Sequence, residues 1–233
     1  MRHSGLVRLT HWLTTIAFLA LLVSGGEIIL SHPRFYWGET GNVNMQPLFK
    51  IPVPSSRAMV PTGYGYVLED QNGWSRYLHF QSAWLLVITG LVYAAAGFAT
   101  GHFRKNIAPS KAECSPRALG SVVAHHLRFR RPEPREAWSY NPLQKLSYLA
   151  VIFGLFPLVI WTGLAMSPAF DAWFPPTVTL LGGQQSARTI HFFVSIALLL
   201  FLLVHVAMVI RAGFWSRMRA MITGRVRTRE EQA

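Results

Sequence analysis

Cysteine is nearly missing from this chain: Cys114 is the only one among 233 residues. One thiol excludes an internal disulfide, a four-cysteine metal cluster and a zinc ribbon. Charge is scarce too, at 14% of residues, and acidic residues number 10 against 22 basic ones. No internal repeat is evident, and no nucleic-acid-binding motif accompanies the net charge of +12. A nucleic-acid partner is therefore not expected. No A-x-A-like cleavage site follows Gly25-Gly26, so the first apolar run is expected to remain in the mature protein with His11.

Apolar residues, by contrast, make up 51% of the chain and gather into four long blocks: Trp12–Leu30, Phe80–Thr100, Leu146–Met166 and Ile190–Ile210. A hydrocarbon core of about 30 Å takes roughly 20 helical residues to cross. Inside lipid every backbone N–H and C=O must be satisfied within its own segment, so each block is expected to be a helix. The expected fold is an all-α membrane protein, a four-helix bundle forming one domain over residues 1–233.

Lys and Arg number seventeen in the N-terminal arm, the loop after the second block and the C-terminal tail, against five in the other two loops. Positive charge is retained on the cytoplasmic side, which predicts that both termini and the second loop lie there. The external loop 31–78 is too long to be a simple connector. Its aromatic stretches HPRFYWGETG, PLFKIPVPSS and PTGYGY suit an external docking surface or an interfacial belt. The basic loop 101–144 is expected on the membrane surface, attracted by anionic lipid.

Nine histidines occur, and four have a pattern. His11 and His79 open the first two apolar blocks, while His191 and His205 share the fourth. Fourteen residues separate that last pair, about 21 Å along a helix and about 40° short of four full turns. One helix thus offers an imidazole near each membrane face, on roughly one side. Alternating helix direction puts His11 at the depth of His205, and His79 at that of His191. Arg8, Arg76 and Arg188 each precede one of these histidines by three residues, in RLTH, RYLH and RTIH. Residues i and i+3 are helical neighbours, and a guanidinium at the water interface can bind the propionates of a haem bidentately. Gly25, Gly90 and Gly97 fall near the same faces, where a missing side chain lets a flat macrocycle approach; small-residue helix packing explains them equally well. Two histidines per depth make a poor zinc site but suit six-coordinate haem iron. No C-x-x-C-H is present, so two non-covalent b haems are expected. His3, His32, His102, His125 and His126 are given no role.

RLTHW, the two histidines of the fourth block and YNPLQK before the third resemble the bacterial cytochrome b561 and nickel-hydrogenase cytochrome b family, which includes the gamma subunit of formate dehydrogenase-N. The resemblance implies that His11 and His205 hold a cytoplasmic haem, and His79 and His191 a periplasmic one. It also implies a quinone beside Asn141 and Gln144; Lys145 could serve the quinone, a propionate or the lipid surface. SHPRFYWGETG resembles the thiosulfate reductase cytochrome b subgroup, which implies a periplasmic partner of molybdopterin type and residence in the bacterial inner membrane. The expected function is electron transfer between that partner and quinone. A self-contained superoxide:quinone oxidoreductase of the same fold and a haem-free membrane anchor are the alternatives.

Overall fold

The computed structural model describes residues 4–42, 44–53, 62–110, 112–113, 115, 120 and 142–225; Cys114, Asn141, His3, His125 and His126 lie outside them. Helix α1 runs Gly5–Ser31 and a two-residue ladder follows, β1 (Arg34–Phe35) with β2 (Phe49–Lys50). Helix α2 runs Thr62–Ala99, and a π-helical turn follows at Phe103–Ile107. Helix α3 runs Pro142–Ala165, with a π turn inside it at Val151–Leu155. Two short helices, α4 (Pro168–Trp173) and α5 (Pro176–Thr179), lead to α6 (Gln184–Arg211) and α7 (Phe214–Thr223).

Four segments are long and apolar enough to cross a membrane: Gly5–Ser31, Gly73–Ala99, Pro142–Ala165 and Gln184–Arg211. They match the four apolar blocks but start earlier than each, and the second and third end one residue before the expected Thr100 and Met166; a helix continues into the interface for as long as its residues tolerate the backbone. The largest extension is in α2, which begins at Thr62 although its apolar run starts at about Phe80. The π turn in α3 also has a local cause. Pro157 has no N–H to donate within the helix, and the residue just before it, Phe156, sends its N–H to the Val151 carbonyl, an i to i−5 bond that widens the helix there.

The chain divides into two compact units. One comprises Met1–Thr10, Leu91–Pro157 and Ile196–Ala233; the other comprises His11–Gly90 and Leu158–Ser195. In the second unit the sorting of side chains is inverted relative to a water-soluble protein. Ser24, Ser75, Thr162 and Ser186 are all 0% exposed, whereas Ile16, Val23 and Ile88 are 61%, 63% and 58% exposed. Lipid is as apolar as isoleucine, so small residues that let backbones approach are favoured between membrane helices and large aliphatics face outward.

The same unit ties residues 32–39 to the start of α6. The carbonyl of Gly38 accepts from the N–H groups of Gln185 (3.0 Å) and Ser186 (3.2 Å). Those are two of the four donors that a helix N-terminus leaves unpaired. The Glu39 carboxylate takes the Gln184 N–H at 3.3 Å, where the helix dipole favours an anion. Ser186 Oγ accepts the Gly38 N–H at 2.8 Å, and Thr189 Oγ1 donates to the Tyr36 carbonyl at 2.7 Å. Gly183, at φ +108°, makes the approach possible: a Cβ there would fall 2.6 Å from the backbone of Gly38. Phe35 and Phe49 stack across the ladder at 4.7 Å, and Phe192 of α6 packs on Phe35 at 4.6 Å.

Candidate functional site

His79 on α2 and His191 on α6 come together in the second unit, their ring centroids 6.3 Å apart and their planes at 59°. Two imidazoles on opposite sides of one ion, each bonded at about 2 Å with its ring centre roughly 1 Å behind the nitrogen, have centroids about 6 Å apart. The two rings are thus spaced as two histidines would be if they held one metal ion between them. Among the described residues no group of three or more His, Cys, Asp or Glu stands together, so no four-ligand zinc cage forms there.

Each ring is held by a hydroxyl from another helix. Ser24 Oγ on α1 lies 3.0 Å from His79 Nδ1, and Thr162 Oγ1 on α3 lies 3.0 Å from His191 Nδ1. The residue after each hydroxyl is a glycine, and a side chain added there would reach the ring edge. A Cβ at Gly25 would fall 3.6 Å from His79 Cε1, and one at Gly163 would fall 3.5 Å from His191 Cε1. Gly25 was expected, from its spacing to His11, to give a macrocycle room; its place beside His79 was not expected, nor were Ser24, Thr162 and Gly163.

The remaining expected residues take varied positions. His11 is half-buried in the second unit and makes an edge contact with Trp12 at 5.4 Å. A Cβ at Gly90 would meet nothing within 4 Å. Arg76 is exposed. Arg188 is half-buried, donates to the His32 carbonyl and sits 4.9 Å over the Phe35 ring, which leaves only its other N–H groups for a propionate.

In the first unit His205 lies nearly parallel to Phe201, at 5.9 Å and 20°, and Phe201 meets the edge of Tyr148 at 6.4 Å. Arg8 donates to the Ile222 carbonyl at 2.6 Å, and a Cβ at Gly224 would fall 3.3 Å from its guanidinium carbon. The space beside Gly97 holds the ring of Phe103: a Cβ there would fall 2.4 Å from it. Gln144 is half-buried on α3. Lys145 pairs with Glu113 at 2.9 Å. The Ser110 backbone N–H and the Lys145 ammonium hold the Glu113 carboxyl below its usual range.

Four apolar helices, and two histidines brought together with a small hydroxyl on each Nδ1, define a helical membrane protein with a paired-histidine site. The family model for prokaryotic cytochrome b561 matches residues 2–224, and the chain belongs to that family. It is thus a multi-pass membrane electron-transfer protein of a family that binds haem b. It is also 30% identical over 209 residues, 89% of each chain, to the "putative protein-methionine-sulfoxide reductase subunit YedZ1" of Azospira oryzae (strain ATCC BAA-33 / DSM 13638 / PS). No solved structure matches.

Proposed function

We propose that this chain is a dihaem cytochrome b subunit carrying electrons between a quinone and a periplasmic oxidoreductase. The observation that carries this reading is the separation of His79 and His191, 6.3 Å between ring centroids with a hydroxyl on each Nδ1. Those two histidines are proposed as axial ligands of the haem nearer the periplasm. His11 and His205 are proposed for the haem nearer the cytoplasm, on their depth in alternating helices alone. When bound, haem b supplies one-electron carriage. Two histidines holding one haem iron would leave it to exchange electrons and not to bind substrate.

Arg76, Arg188 and Arg8 are proposed to neutralise propionates, Arg188 through N–H groups not used on His32. Gly25 is proposed to lie against the haem nearer the periplasm, and Gly90 to give it room. Asn141 and Gln144 are proposed as donors to a quinone carbonyl, since a neutral amide donates without the desolvation cost of a buried charge. The basic bias of the sequence supports an inner-membrane arrangement with both termini cytoplasmic. Homology to a reductase subunit supports a catalytic partner on the other side. SHPRFYWGETG favours a molybdopterin-type partner.

Pyridine haemochrome assay of the purified chain tests the cofactor: two b haems per chain are expected. A haem-free protein would return the chain to the role of membrane anchor. Affinity purification from native membranes tests the partner: a second, periplasmic subunit should co-purify. Superoxide-driven quinone reduction by the isolated chain would overturn the electron-transfer-subunit reading in favour of a self-contained enzyme.

A further inference from the structure

Ser24 and Thr162 have one hydroxyl proton each, and the structure gives that proton a destination. Ser24 Oγ lies 2.8 Å from the Ala20 carbonyl, and Thr162 Oγ1 lies 2.8 Å from the Leu158 carbonyl. Both are i to i−4 contacts within the residue's own helix, in which the hydroxyl must donate because a carbonyl only accepts. The oxygen then has only lone pairs left for the imidazole 3.0 Å away. An Nδ1 facing an acceptor carries the proton, so Nε2 of each ring keeps its lone pair.

The arrangement is built twice. On α1 it is Ser24 followed by Gly25, and on α3 it is Thr162 followed by Gly163. The ring contacts agree closely: Cε1 at 3.6 and 3.5 Å, and Nδ1 at 3.9 and 3.8 Å, from the two glycine Cβ positions. Both hydroxyl side chains are 0% exposed, so no water competes for the bond. A bond to Nδ1 fixes the tautomer and restrains the ring rotation.

We infer that Ser24 and Thr162 are positioning residues that hold His79 and His191 as Nδ1–H imidazoles, with Nε2 presented for ligation, and lower the reduction potential of the haem proposed there. The inference rests on the function proposed above. The chemistry is that of an outer hydrogen bond on a metal-bound histidine: an acceptor on the far N–H raises the basicity of the ligating nitrogen. A more basic ligand favours the ferric state.

Redox titration of the purified full chain, followed at the haem α-band, tests this. Ser24→Ala and Thr162→Val should each move the same one of two components to higher midpoint, leaving the other in place. Thr162→Ser keeps the hydroxyl and removes only the methyl, so it should titrate as wild type. Midpoints unchanged in Ser24→Ala and Thr162→Val would overturn the inference, as would both components moving together. An equal shift in Thr162→Ser and Thr162→Val would also overturn it, by reducing Thr162 to a packing residue. If Thr162→Val loses that component and Thr162→Ser retains it, the hydroxyl is upheld through binding; loss in both overturns it. A wild-type protein without haem would sink the proposed function, and this inference with it.

Discussion

Helix α6 carries two histidines 14 residues apart, and the neighbours seen at each are not the same. His191 is fixed by Thr162, a hydroxyl from another helix, while His205 lies flat against Phe201 one turn earlier on its own helix. A hydrogen bond sets rotation, tautomer and basicity together. Aromatic packing restrains the plane of the ring. Two imidazoles on one helix can therefore be set differently by their neighbours, which would separate the potentials of the two haems proposed.

The largest effect that can break this comparison is loss of the ligands. His79→Ala and His191→Ala should each remove the same haem, and His11→Ala and His205→Ala the other, so that each variant retains about half the wild-type haemochrome. Loss of one spectral component by both His11→Ala and His79→Ala would refute the pairing.

Next come two glycines, one from each unit. Gly183→Ala combines a positive φ with backbone atoms at 2.6 Å that have nowhere to move. It should cost at least about 2 kcal/mol and lower the melting temperature clearly. Gly97→Ala meets a side chain, the ring of Phe103 at 2.4 Å, which can rotate away; about 1–3 kcal/mol is expected. A larger loss at Gly97 than at Gly183 would reverse the ranking.

Charge should matter less. Arg76→Gln or Arg188→Gln should lower the midpoint of one component and Arg8→Gln that of the other, because removing a nearby positive charge disfavours the reduced form. Roughly 1–2 kcal/mol each is expected for a partly screened charge at about 10 Å. Redox titration with no shift in any of the three would leave them as flanking charges.

The smallest effect concerns Glu113. A carboxyl whose pKa is lowered in the folded state stabilises the protein above its unfolded pKa, and the gain is lost as pH falls through the folded value. Glu113→Gln should slightly flatten the acid side of a plot of melting temperature against pH. The pair is partly exposed, so its contribution is small. An unchanged acid limb would show that the Lys145 pair adds nothing in solution.

The four spans were legible because an apolar run of more than 18 residues has few alternatives to a membrane helix. The early start of α2 at Thr62 was not, since its first turns read TGYGYV and continue through Glu69 and Asp70. The hydroxyl clamps were hidden by ordinariness. Thr89-Gly90 on α2 is the same kind of pair as Thr162-Gly163, yet a Cβ at Gly90 would meet nothing within 4 Å. Only the fold tells which pair meets a histidine. The arginines teach the same point. Three Arg-x-x-His spacings place three guanidiniums alike on their helices, but Arg188 bonds a carbonyl 156 positions away and Arg8 one 214 away. Spacing chooses the helix face; distant chain supplies the partner.

The bonds between Gly38 and the first turn of α6 make residues 36–39 a stiff handle on that helix. Backbone rests on backbone at Gly183, so the joint has no slack for side chains to take up. Thr189, which grips Tyr36, is two residues before His191, and Arg188, which grips the loop at His32, is three before it. A push on this loop is delivered to the turn that sets the pose of the imidazole. What docks there would be felt at His191 as a shift in angle and not merely as added mass on the surface.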